Sequence, residues 1–185
     1  DLTRDPLTLS VASYLKQGNF SQLRSDLLTY IPQYQQVHKN ALLYHLLSRL
    51  PDSILMQDPQ LAVYYGIVLI SQGERDAAQQ WTERFKKHYS KHPEKTGFVL
   101  ILQCWAELHT PQDAWAHLTD MLQKARQNLR DPLAFADIIP KMESWALLRQ
   151  RKYSEVIRLL TDNYCTQDGQ CIFDPAQTFV WRHLY

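Results

Sequence analysis

The sequence predicts an all-α protein built from stacked antiparallel helix pairs, and three observations carry that prediction. Residues 61–85, LAVYYGIVLISQGERDAAQQWTERF, hold two apolar stripes at helical spacing on either side of Gly73. Leu61, Tyr65, Leu69 and Ile70 precede the glycine, and Ala77, Ala78, Trp81 and Phe85 follow it. No segment shows the alternation of a half-buried strand. Four stretches repeat one pattern of apolar helix end, short polar turn and apolar residue: 14–28, 68–82, 104–118 and 147–161.

Taken in order, Pro6 opens a first helix near Leu7 to Lys16, and Gly18-Asn19 ends it. Phe20, Leu23, Leu27 and Leu28 mark a second helix to about Tyr30. Ile31-Pro32 breaks it, because proline disfavours the helical region for the residue before it. A third helix is predicted from Gln35 to Leu50, with Pro51-Asp52 as its stop and a short turn at Ser53–Met56. Asp58-Pro59 reads as a cap with proline at the first helical position, opening the first arm of the central hairpin. Gly73 suits a C-cap, since glycine takes a left-handed conformation without steric cost. Small residues at Gly66 and Ala78 suit a close approach of the two arms.

The second arm is expected to reach Ser90, with His92-Pro93 as its stop. Gly97–Leu108 follows, then a helix from Thr110-Pro111 to about Asn128. Asp131-Pro132 opens another to about Arg149, which Pro140 either kinks or divides near Ile139. Tyr153–Asn163 is a further helix, residues 165–171 a loop, and Pro175–Tyr185 a last helix.

Composition narrows the function classes. The 185 residues are 45% hydrophobic with a formal net charge of +1, so no global field points to nucleic acid or a membrane. Five glycines and nine prolines are too few for a linker-rich chain. No apolar run reaches the length of a membrane span, and DLTRDPLTLS is not a signal peptide. The expected location is cytoplasmic, or periplasmic or another oxidising compartment if Cys165 and Cys171 pair. The chain starts without Met and so reads as one helical-repeat domain, residues 1–185, from a longer or processed protein.

In the four repeated stretches the turn position is followed five residues later by an apolar residue: Gly18/Leu23, Gly73/Ala78, His109/Ala114 and Arg151/Val156. The turns stand 55, 36 and 42 residues apart. The last two spacings are near the period of helix-pair repeats, and the first leaves room for the helix at 35–50. One pair cannot bury its apolar face alone, so neighbours must stack. Here the chain resembles the tetratricopeptide-repeat family. Gly66, Gly73 and Ala78 match that family's small residue, closing glycine and packing alanine, and Gly18-Asn19-Phe20 matches its turn. Lys152-Tyr153 is a weaker match, and His109, Arg151 and Val156 depart from the pattern. The resemblance implies a right-handed superhelix with a concave binding face. The run LSRLPDSILMQDPQLAVYYGIVLISQG (47–73) is also similar to the repeat domain of maltose-regulator-type transcriptional activators. That likeness implies a sensing domain of a multidomain bacterial transcription regulator.

Catalytic patterns are lacking. The sequence has no GxSxG, GxxxxGK, HExxH or GxGxxG, so a non-enzymatic role without a cofactor is expected. His88 and His92 are four apart, a spacing that binds metal on a helix, but Lys86, Lys87 and Lys91 surround them and oppose a cation; no metal site is expected. Cys165 and Cys171 bracket a short loop. In an oxidising compartment a disulfide closes it, contributing about 2–3 kcal/mol on the chain-entropy model; in a reducing one two free thiols stand there. Cys104 beside Trp105 reads as core. The run RFKKHYSKHPEK (84–95) interleaves lysines with Phe85 and Tyr89. It reads either as a phosphate-binding strip or, with Phe85 on the packing stripe, as the solvated back of a helix.

What remains is a binding face. Projecting the repeat pattern places Gln60 and Val63, Thr96 and Gln103, and Lys141 and Trp145 on the first helices of successive pairs. Gln60, Gln103, Lys141 and Trp145 are the candidate partner-binding residues. A lysine beside a tryptophan suits an acidic or extended peptide, where charge orients it and aromatic area supplies affinity; Trp145 otherwise reads as simple packing between helices. The expected partner is thus a peptide or protein, with nucleic acid disfavoured in these residues.

Overall fold

The structure is a computed structural model and describes residues 6–36, 39–109, 115–131, 135–136 and 138–164. The described residues are helical and contain no strand. The chain forms two compact units, Asp1–His88 and Tyr89–Tyr185.

The first unit begins with α1 (Pro6–Gln17) and α2 (Phe20–Gln36). Gly18 adopts φ +69° between them. The Gly18 amide donates to the Leu15 carbonyl at 3.4 Å and the Asn19 amide to the Tyr14 carbonyl at 3.0 Å. This pair of bonds is the Schellman closure of a helix end. The expected break at Ile31-Pro32 does not occur, because α2 runs through Pro32. Proline there removes one helical hydrogen bond. Leu23, Leu27 and Ile31 are fully buried, and that stripe holds the helix together across the lost bond. The α2 helix closes where the Lys39 amide donates to the Tyr34 carbonyl at 2.9 Å. The third helix, α3 (Asn40–Leu47), therefore starts five residues later than the pattern predicts. The predicted turn at 53–56 is a short helix, α4 (Asp52–Gln57).

α5 (Pro59–Ser71) is the hub of this unit and packs against α2, α3 and α4. Asp58 caps it as predicted: one carboxylate oxygen accepts from the Gln60 and Leu61 amides, both at 2.9 Å. Leu61, Ala62, Val63, Tyr64, Gly66, Ile67, Val68 and Leu69 are all buried, so α5 is enclosed on every side rather than amphipathic. Gly73, at φ +80°, closes the helix with the same two bonds as Gly18: Gly73 to Ile70 and Glu74 to Leu69, both 3.0 Å. α6 (Arg75–Tyr89) then returns along α5. Its Trp81 indole donates to the Ala62 carbonyl at 2.9 Å and sits edge-on to Tyr65 at 4.8 Å.

The second unit opens with a 3-10 turn, Pro93–Lys95, leading into α7 (Thr96–Leu108). α8 (Ala116–Asn128) packs along α7, and α9 (Ile139–Arg149) touches both. Trp115 stands at the cap of α8. The predicted starts at Thr110-Pro111 and Asp131-Pro132 include residues outside the described set. Of the two readings of Pro140, division holds: α9 starts at Ile139, and Phe135 stands before it in a turn at φ +61°. α10 (Tyr153–Tyr164) pairs with α9 around Leu147, Val156 and Leu160. The joint between them repeats the earlier closures. Arg151, at φ +61°, donates to Leu148 and Lys152 to Leu147, both at 3.0 Å.

Three of the four predicted turn positions thus share one backbone geometry. The apolar residue five places on is buried in each: Leu23, Ala78 and Val156. At the fourth, His109 has φ −101°, and Ala114 lies outside the described residues.

Candidate docking site

The α9 helix carries Lys141 and Trp145 one turn apart, so both project on one face, and both are half-buried. Trp145 packs on one side against the Leu147, Val156 and Leu160 cluster. On the other it meets the His109 ring at a centroid distance of 5.8 Å and an angle of 31°. His109 in turn lies 5.0 Å from the Trp105 ring at 35°. Trp105 and His109 are four apart and share a face at the end of α7, with His109 serving as its C-cap. The result is a Trp–His–Trp ladder across two helices. Its centre, His109, is exposed, and its two tryptophans are half-buried.

Hydrogen bonds hold the ladder in register. His109 Nδ1–H donates to the Trp105 carbonyl at 2.9 Å, which restrains the ring. The Trp105 indole N–H is buried without a partner among the described residues. Around it, Glu107 and His117 tie α7 to α8 at 2.5 Å. Gln150 ties α9 to α8 by donating to the Trp115 carbonyl at 3.2 Å and the Thr119 hydroxyl at 3.1 Å. Arg126 Nη2 donates to Glu143 at 2.6 Å. Burial pushes the Glu143 carboxyl above its ordinary range, and Arg126 offsets part of that rise.

The other predicted binding residues have different places. Gln103 is half-buried on α7, but it precedes Trp105 by two residues and so lies about 200° round the helix from it. Thr96 is exposed at the start of α7. Gln60 is half-buried in the first turn of α5, in the other unit. Val63 is fully buried and is no part of any binding face, because α5 is a core helix. Cys165 and Cys171 lie outside the described residues. Trp105 and His109 were missed in the sequence. Their i, i+4 aromatic spacing was a usable signal, but the partner ring is 36 positions away.

The basic run is the back of a helix. Phe85 and Tyr89 are buried, so they do not interleave with the lysines on the surface. Arg84 pairs with Asp52 at 2.7 Å and lies over Trp81 at 5.6 Å. α6 ends at Tyr89, so His92 stands beyond it and shares no helical face with His88. Among the described residues no group of three or more His, Cys, Asp or Glu is gathered to hold a metal, and no helix is long and apolar enough to cross a membrane. Compared with known proteins, the chain matches no family model, no curated protein and no solved structure.

Proposed function

We propose that this chain is a protein–protein interaction module. It docks a peptide or protein partner on the second unit, at the face formed by Trp105, His109, Lys141 and Trp145. The observation that carries the reading is the ladder of three rings fixed in line across α7 and α9, with an exposed imidazole at its centre. Aromatic rings held rigidly and left part-open supply contact area at low entropic cost, the character of interface hot spots. Lys141 on the same face selects an acidic or extended segment. The recurrent Schellman turns and the buried residue five places after each support a tetratricopeptide-like stack of helix pairs as the framework. In that framework the docking face belongs to the first helix of a pair, and the module acts as a scaffold rather than as a catalyst.

The alternative, a ligand-sensing domain of a bacterial transcription regulator, draws less support. Two cavities among the described residues measure about 240 and 230 Å³, below the ~300–1,000 Å³ of pockets that enclose a drug-sized ligand.

A displayed peptide library panned on the full chain tests the docking reading. Enriched peptides are expected to be acidic or extended and to lose binding at least about tenfold in a Lys141→Glu, His109→Ala double variant. His109 is exposed and Lys141 half-buried, so the variant keeps its helical circular dichroism. Peptides that bind wild type and variant alike place the interface elsewhere and refute the assignment.

A further inference from the structure

The last turn of α9 carries the docking face on to a further aromatic ring. Trp145 and Arg149 are four residues apart and share a face of α9, one turn or about 6 Å from each other along its axis. The Arg149 guanidinium lies over the Trp115 ring, with Cζ 5.3 Å from the centroid. Gln150, the next residue, bonds to the Trp115 carbonyl and the Thr119 hydroxyl and so holds this end of α9 against the head of α8. Arg149 is exposed and makes no hydrogen bond or ion pair among the described residues. Its contact with Trp115 is one of charge with an aromatic face, which leaves the planar fork of N–H donors for a carboxylate.

Charge at this end of the unit favours an anion. Arg151, in the joint after α9, is exposed and also has no ion pair among the described residues. It holds φ at +61°, a strain that glycine avoids, and residues held in such strain cluster at functional sites. The neighbouring acids are engaged, Glu107 by His117 and Glu155 by Lys152 at 3.8 Å. The acid of α8, Asp120, is exposed and stands about 100° round that helix from Thr119, the residue that meets Gln150.

The ladder adds a constraint on the backbone of a partner. His109 Nδ1 is taken by the Trp105 carbonyl, so Nε2 is the ring nitrogen left to bond a partner. An extended segment offers free main-chain N–H and C=O groups to it, whereas a helix bonds them internally. In an extended segment residues i and i+2 point the same way, about 6.7 Å apart, which matches the step from Trp145 to Arg149.

We propose that the partner is an extended acidic segment. It seats an apolar side chain against His109 and Trp145 and, two residues away, an Asp or Glu on Arg149, with Arg151 adding charge beside it. This deepens the docking reading and rests on it.

Panning short random displayed peptides on the full chain, as wild type and as Arg149→Gln, tests it. The wild-type pool should be enriched in an acid two positions from a large apolar residue. The Arg149→Gln pool should keep the apolar residue and lose the acid. For the leading peptide, exchanging that acid for its amide should weaken binding to wild type at least about fivefold in isothermal titration, and should leave binding to Arg149→Gln unchanged. The amide peptide needs no change to the protein. Arg151→Gly should weaken the acidic peptide about threefold in a protein that is harder to unfold, which separates lost charge from lost structure. Unchanged affinity in Arg151→Gly removes Arg151 from the site. An acid preference that survives Arg149→Gln, equal binding of acid and amide peptides, or enrichment at the four-residue spacing of a helix each overturns the proposal. In those cases the docking face still stands if the peptides are lost in the Lys141→Glu, His109→Ala variant. No enriched peptide, or binding indifferent to that double variant, removes the docking face itself and this proposal with it.

Discussion

Replacing Gly97 with alanine sets two well-measured effects against each other. Gly97 lies in the first turn of α7 and faces the end of α8. Helix propensity alone favours alanine there by at most about 1 kcal/mol. The space forbids it. A Cβ on residue 97 would stand 2.9 Å from the Ala125 carbonyl oxygen, 3.0 Å from the Asn128 carbonyl carbon and 3.1 Å from Leu129 Cγ. Two of these neighbours are backbone, which cannot rotate aside, so α7 and α8 must separate. Overpacking of this kind costs about 1–3 kcal/mol. The net expectation for Gly97→Ala is a loss of about 1–2 kcal/mol. Urea unfolding followed by circular dichroism measures it, with the midpoint moving down at constant slope. Gly97→Val should lose more, because its second branch meets the same backbone. Glu107, His109 and Trp105 sit on α7, so the same displacement should alter tryptophan fluorescence in the native state. A Gly97→Ala protein as stable as wild type, or more so, would refute the close-packing argument.

Two further predictions concern titratable groups that folding desolvates. Glu143 has a folded-state pKa above its ordinary 4.5, so the folded protein holds this proton more tightly than the unfolded chain. Its contribution to stability is therefore present below the unfolded pKa and is lost as pH rises through the folded one. Glu143→Gln should gain stability relative to wild type from about pH 4 to about pH 7 in denaturation curves, and parallel profiles for the two proteins would count against this. The Cys104 thiol is buried and pushed up to about 12, mainly by desolvation and further by Glu107. At pH 8 about one molecule in ten thousand carries the thiolate. In a Cys165→Ser, Cys171→Ser background, a disulfide thiol reagent should react with Cys104 only at the rate of unfolding. Rapid reaction without denaturant would show that the α7 core is open.

What the sequence disclosed was local. The Asp58 cap acts on amides two and three residues away, and Gly73 acts within one turn, so both were legible from neighbouring letters. Pro32 misled because the local rule is outweighed by a distant cause, the burial of Leu27 and Ile31. Val63 misled for a related reason. A projected repeat face assumes an amphipathic first helix, and α5 is covered by α2, α3 and α4. The candidate site divides in the same way. Lys141 and Trp145 share one helix and were visible as a pair. Trp145 finds His109 across 36 positions, and Arg24 finds Asp58 across 34; neither meeting leaves a mark in periodicity.

Arg151 occupies the joint where Gly18 and Gly73 stand in the other two closures, with φ of +61°, +69° and +80° respectively. An ordinary L-residue pays about 1–2 kcal/mol for that conformation, whereas glycine pays none. Two hydrogen bonds and a buried apolar residue therefore suffice to impose the turn against the preference of the residue at its apex. The motif is a rule about backbone direction and not about spelling. The same strain reverses the usual effect of glycine: at position 151 it should make the protein harder to unfold.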